Sequence, residues 1–381
     1  MGLTRTKKIV SFYDYSLLFA VLFILGFGLL ILYSASSGRG DMEESAMSYL
    51  RKQGFFAIGG LVLMLGISHL LDYRFLRVLA LPGFAAACGL VLLTAAYGAA
   101  SHGSTRWFTI FGVRFQPSEL VKFTLIIMEA REFSRLGSQV NNNKKSLRQP
   151  LLLALFPAIF IAFSNLSTGI IILGIFSLML FVERKEYKPF FYLFLLLLLL
   201  YLAAYPFAVL MEKCHIMHGY QLMRIYAWKR PLDPRYVSKT YQTVQGLYAI
   251  GSGGIFGRGL GESLQKFMMP EAQNDMIFTI LCEELGLFGA VSLILIYLFI
   301  LYRLYDIARN APDLFGSFLV IGVMSHIGLQ AVLNIAVACN QIPNTGVTLP
   351  FVSYGGTALV LLLLEIGICL SVSKQTKLEL R

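Results

Sequence analysis

Charge is scarce in this chain. Only 14% of its 381 residues are Asp, Glu, Lys or Arg, against 57% hydrophobic residues, and the mean hydropathy is +0.69. Soluble domains carry about 25% charged residues, so the composition excludes an ordinary water-soluble globule and points to a polytopic membrane protein. Cysteine is also sparse. Cys88, Cys214, Cys282, Cys339 and Cys369 are scattered without CxxC spacing, which argues against a disulfide framework or a zinc site. His69, His215 and His218 have no convincing ligand spacing. Short repeats are absent, and the run Leu195–Leu200 reads as lipid-facing helix.

Long apolar segments dominate what is present. Runs of about 17–25 apolar residues mark spanning helices, and ten are predicted, at about 15–34, 54–71, 75–96, 117–134, 150–164, 168–183, 190–210, 276–301, 314–338 and 356–373. The expected fold is therefore an all-α polytopic membrane protein with ten transmembrane helices, forming a single membrane domain over 1–381. The first run is too long for a signal-peptide core, and nine more follow it. Lysine and arginine counts set the orientation. With the N-terminus inside, the inner segments hold 18 of these residues and the short outer loops 5. Both ends, 1–14 and 374–381, are thus expected in the cytoplasm, and 212–275 forms a large extracytoplasmic loop between helices 7 and 8. The basic inner loop Asn141–Lys145 with Arg148 suits topology and anionic-lipid contact. The formal charge of +11 does not indicate nucleic acid once its location is considered.

Polar residues gather toward the outer face. Pro117 suits a first helical turn, and Glu119 and Lys122 then share a helix face just inside the membrane, spaced to pair. The segment 212–275 interleaves Arg224, Lys229, Arg230 and Arg258 with tyrosines and Trp228. At an outer membrane face that mixture suits an anionic lipid headgroup. The glycine run Gly251–Gly261 allows backbone amides to approach a phosphate, and a flexible hinge explains it equally well. Asp275 stands at the mouth of an apolar helix that carries Glu283 and Glu284 inside, where carboxylates cost several kcal/mol unless partnered. His326, Gln330 and Asn334 recur at i, i+4, i+8 as one stripe, which suits interhelical hydrogen bonding or a substrate groove. The following Asn340–Gly356 is too rich in proline and glycine for a plain helix, so it must be buried in protein or line a cavity.

Four of these stretches, RWFTIFGVRFQPSELVKF, IGSGGIFGRGLGES, MPEAQNDMIFTILCEELGLFG and IPNTGVTLPFVSYGGT, together resemble the SEDS family of FtsW, RodA and SpoVE, with a lean toward FtsW and SpoVE. The resemblance spans essentially the whole chain. It implies an inverting peptidoglycan glycosyltransferase that polymerises lipid II outside the bacterial cytoplasmic membrane, in division, elongation or sporulation. It also implies a class B penicillin-binding protein as partner, other divisome or elongasome membrane proteins, and undecaprenyl-linked glycan as substrate. A divalent cation, Mg2+ or Mn2+, is implied without a legible ligand set. The family's essential aspartate falls on Asp275, and its Gln-Pro-Ser-Glu-x-x-Lys stretch places Glu119 and Lys122. Arg106, Arg224, Arg258 and Glu271 complete the expected substrate contacts. Two departures stand out. Gln273-Asn274 replaces a frequent His-Thr before the aspartate, and Ser164–Thr168 lacks the carboxylate of Pro-Asp-Leu-Gly-Thr. The rival expectation is a lipid II flippase or transporter.

Overall fold

Hydrocarbon-rich segments without water must satisfy every backbone group internally, so they fold as helices. A computed structural model describes residues 9–37, 46–97, 99–101, 104–110, 113–137, 139–142, 144–184, 186–213 and 220–379. Its helices are α1 (Tyr15–Ser36), α2 (Ala46–Leu70), α3 (Leu76–Tyr97), α4 (Pro117–Leu136), α5 (Gln139–Asn142), α6 (Arg148–Ser164), α7 (Leu166–Glu183), α8 (Lys188–Lys213), α9 (Tyr220–Lys229), α10 (Val237–Gly253), α11 (Ile277–Arg309), α12 (Leu314–Ala338) and α13 (Gly356–Gln375). All ten predicted spans coincide with a helix. Nine helices among the described residues are long and apolar enough to cross a membrane. The exception is α4, which carries Glu119, Lys122, Glu129, Arg131, Glu132 and Arg135. It can do so because it packs between α3 and α12, with Val121, Lys122, Leu125 and Glu129 buried, so that protein rather than lipid meets its polar side chains.

The centre of the bundle is α12 and α13, two-thirds of whose apolar windows are buried. Around them α2 lies on α13, α1 on α2 and α11, and α6 on α7. By contrast, none of the apolar window of α8 is buried; its C-terminal part meets α9 through Tyr205 and Tyr226. The chain ends meet. A short strand β1 (Ile9–Ser11) pairs antiparallel with β5 (Lys377–Glu379), and Arg303 near the end of α11 donates to Asp14, which caps α1. Between α3 and α4, β2 (Ala99–Ser101), β3 (Ser104–Ile110) and β4 (Val113–Phe115) form a small antiparallel sheet.

The long segment between α8 and α11 is more ordered than a loop. α10 runs alongside α11, and Gly246 lies against Thr279. α11 itself breaks at Gly286, whose φ is 65°. Each broken helical bond has to be replaced, and the segment after α10 does this. Arg258 and Gly259 donate to the carbonyls of Glu283 and Glu284 (3.0 and 2.9 Å), while Leu287 and Phe288 donate to Gly254 and Ile255 (2.9 and 3.0 Å). At Gly257 a Cβ would stand 2.1 Å from the Glu284 carbonyl oxygen, so no larger residue fits. The glycine run therefore serves close packing on a broken helix. The amides of Gly257, Arg258 and Gly259 are thereby engaged by the protein's own carbonyls.

Candidate active site

The stretch Met269–Met276 folds as tight turns over the start of α11. Glu271 holds a left-handed φ of 53°, uncommon outside glycine, and accepts from the Asn274 side chain at 3.0 Å. The turn presents Asp275, half-buried, to three other elements. Gln242 of α10 donates to its Oδ1 at 3.2 Å. Asn334 of α12 donates to its backbone carbonyl at 2.8 Å and to Val347 at 2.7 Å. Gly346 of the 340–355 segment faces its other carboxylate oxygen. Asn344 steadies Gln242 by donating to its Oε1 at 3.2 Å.

Burial pushes the Asp275 carboxyl up from 3.8 to about 6, with the neighbouring Glu271 charge adding to the effect and the Gln242 bond opposing it. A helix N-terminus favours the ionised form; here desolvation outweighs it. The resulting carboxylate is ionised at neutral pH and more basic than an ordinary aspartate, which suits a general base.

One helical turn below Asn334, the polar stripe continues. Lys122 is 1% exposed; it pairs with Glu119 at 2.8 Å and donates to Gln330 Oε1 at 2.9 Å. The Gln330 amide donates in turn to Thr348 in the 340–355 segment. His326 Nε2 lies 2.9 Å from the same Oε1, and His326 Nδ1 lies 2.9 Å from Glu365 on α13. Lys122 can only donate and Thr348 O can only accept, so the Gln330 amide has one orientation, and His326 donates to its Oε1 from Nε2. The spacing of the stripe is visible in the sequence, and of its two expected roles the structure shows interhelical hydrogen bonding. What the sequence could not show was that one face of α12 joins Asp275 to Lys122.

Asn340–Gly356 is clamped as buried irregular backbone requires. Gln53 bonds Ser353 O and Gly355 N, Trp228 donates to Asn340 O, and Tyr354 N donates to Gln273 O.

Asp275, Glu271, Glu119 and Lys122 thus belong to one polar region reached through α12. Arg258 stands elsewhere, half-exposed and 3.6 Å from Glu283, about two turns further along α11. Arg106 lies in β3 and Arg224 in α9; their side chains, like His215 and His218, fall outside the described residues. Glu283 and Glu284 are fully buried and partnered: Glu283 accepts from Ser263 and the amides of Leu264 and Gln265, and Glu284 from Ser34. Glu283 fastens the segment after α10 to the broken helix, and Glu284 ties that helix to α1. Gln242, Asn344 and the His326–Glu365 pairing escaped the sequence-level reasoning. Gln242 carries no motif signal, and the other contacts join residues far apart in the chain. Among the described residues no three His, Cys, Asp or Glu side chains are grouped to hold a metal ion.

The family model described as "Cell cycle protein", for FtsW, RodA and SpoVE, matches residues 15–378. The chain is 34% identical over 371 residues to stage V sporulation protein E of Bacillus subtilis (strain 168), covering 96% of this chain and 98% of that one. It is 32% identical over 381 residues to the probable peptidoglycan glycosyltransferase FtsW of the same organism, covering 97% and 93%. Among solved structures, a chain of a peptidoglycan synthase complex that coordinates polymerization and crosslinking superposes with a TM-score of 0.77 at 26% identity, covering 96% of this chain and 98% of that one. The rod shape determining protein RodA of Thermus thermophilus gives 0.67 at 25% identity, covering 96% and 97%. A full-length family match, relatives above 30% identity and a shared fold agree: the chain belongs to the FtsW/RodA/SpoVE family of multi-pass membrane proteins.

Proposed function

We propose that this protein is a peptidoglycan glycosyltransferase that polymerises lipid II at the outer face of the bacterial cytoplasmic membrane, with Asp275 as general base. The observation that carries it is a half-buried aspartate whose carboxyl is raised to about 6, held by Gln242 and Asn334 beside a polar stripe. The 4-hydroxyl of an acceptor N-acetylglucosamine attacks C1 of the growing strand's N-acetylmuramic acid. The C1–O bond to undecaprenyl diphosphate breaks with inversion, and the hydroxyl proton passes to Asp275. A sugar hydroxyl is a poor nucleophile at neutral pH, so a positioned base contributes typically 10²–10⁴-fold.

The departing diphosphate needs positive charge. Lys122, held by Glu119 and Gln330, has one N–H beyond these two bonds and faces the region where that charge develops. Arg106 and Arg224 are proposed to contact the substrate from the outer sheet and from α9, and Arg258 from the base of the outer segment. Glu271 would offer a hard carboxylate to Mg2+, with substrate phosphates and water completing its shell, and a divalent cation there would supply charge neutralisation.

The pairing of β1 with β5 supports both ends lying on one side and an even number of crossings, the nine apolar helices plus α4. Lysine and arginine bias supports placing that side in the cytoplasm. The similarity to a chain of a synthase complex supports a class B penicillin-binding protein as partner.

The test is polymerisation of lipid II by the purified protein with its partner. Asp275→Asn is expected to abolish glycan chains while membrane insertion and partner association persist. Full polymerisation by that variant rules out the base assignment. Lipid II translocation without chain formation, measured on the same preparation, replaces the proposal with transport.

A further inference from the structure

An open groove among the described residues lies away from this site. It holds about 710 Å³ against α3, α4 and the start of α6, within the range of small-ligand sites. Phe84 of α3 and Leu152 and Phe156 of α6 form its apolar wall, and Lys145, Arg148 and Gln149 border it at the start of α6. The composition is graded. Phe156 follows Arg148 by eight residues, so the apolar wall reaches about 12 Å along the helix from the basic rim. Arg135 braces the rim from behind, donating to Gln149 at 2.8 Å while paired with Glu132 at 2.7 Å. Its charge is thereby offset by Glu132, and Lys145 and Arg148 stand exposed at the rim.

We propose that this groove binds one anionic glycerophospholipid, its phosphodiester at Lys145 and Arg148 and the upper part of an acyl chain along Phe84, Leu152 and Phe156. Basic pockets between membrane helices on the cytoplasmic side suit acidic headgroups. The wall has no use for a free phosphate, and its short reach suits one acyl chain better than a long polyprenyl tail. The assignment to the inner leaflet rests on the topology proposed above; lipid retention does not depend on the polymerase assignment.

The test is native mass spectrometry of the full chain extracted from vesicles of phosphatidylcholine and phosphatidylglycerol. One phosphatidylglycerol should remain per chain, and phosphatidylcholine should not. Each surface cation contributes about fivefold, so the pair Lys145→Gln and Arg148→Gln should weaken retention roughly 25-fold. Leu152→Trp, which fills the groove and leaves the charges, should also remove the lipid. If that variant fails to fold, the exposed charge pair decides alone. Equal retention of both lipids, or retention that survives the charge variants, reduces the site to annular lipid and overturns the proposal. Displacement of the lipid by millimolar inorganic phosphate, or tighter retention of undecaprenyl diphosphate, overturns it as well.

Discussion

At the scale of single residues, Asp275 as the proposed base is expected to set the pH behaviour. Its carboxyl titrates near 6, so the base is disabled below that pH: polymerisation should fall about tenfold per pH unit under 6 and level off above 7. The Gln242 bond lowers this value, so Gln242→Leu should move the acid limb to higher pH and cost more activity at pH 6 than at pH 8. A limb unchanged in the variant would show that Gln242 does not tune the base. Stability should respond in the opposite sense to activity. Below about 4 the carboxyl is protonated in both folded and unfolded chains; between 4 and 6 only the unfolded chain ionises; above 6 the fold bears the full cost of a buried charge. Asp275→Asn should therefore raise the thermal midpoint at pH 7.5 and leave it unchanged at pH 3.5, as measured by unfolding in detergent.

The same residue shows what was legible beforehand. Asp275 was picked out because a carboxylate at the mouth of an apolar helix is expensive, and a helix-start argument favoured its ionised form. The spacing contained nothing about how deeply α10 and the 340–355 segment would cover it, and that coverage reverses the direction of the shift. Glu119 and Lys122 were readable as a pair because helical spacing is local; Lys122–Gln330 and His326–Glu365 were not, because they depend on how α4, α12 and α13 pack.

Among elements, α12 is the one on which the site depends. If His326 and Glu365 act on the reaction only by holding Gln330 against Lys122, then activity lost in Glu365→Gln should not multiply with the loss in Lys122→Met. The double variant should match Lys122→Met to within about twofold. Losses that multiply would mean that the pair serves the fold independently of Lys122. The break in α11 makes a second demand. A side chain at Gly286 would have to adopt φ 65° with its Cβ 2.4 Å from the Gly257 nitrogen, so Gly286→Ala should cost at least about 2 kcal/mol. A thermal scan of the purified variant showing no loss would contradict the ladder. The glycine density was visible in the sequence; its purpose was not, because the partner strand of backbone lies in a segment that reads as uninterrupted helix.

At the scale of the whole molecule, the ten segments and their order were already legible, since hydrocarbon thickness fixes the length of each one. The exception is instructive. α4 falls short on composition because its polar side chains are turned into the bundle. Reporters fused at both ends and near Asn142 should read cytoplasmic, and one placed near Asp233 should read external. Opposite readings at the two ends would mean an odd number of crossings and would leave α4 outside the membrane.

The ladder between 254–259 and 283–288 also dictates a sequence of events during biogenesis. The amides of Arg258 and Gly259 are made first, and the carbonyls that receive them emerge about 25 residues later, inside a segment that must itself be handed to the bilayer. Until then the glycine-rich stretch has only water to bond, so it has to wait at the surface. Ribosome-bound chains from which 254–259 has emerged and Phe288 has not should therefore leave that stretch open to protease, and chains long enough to deliver α11 should close it.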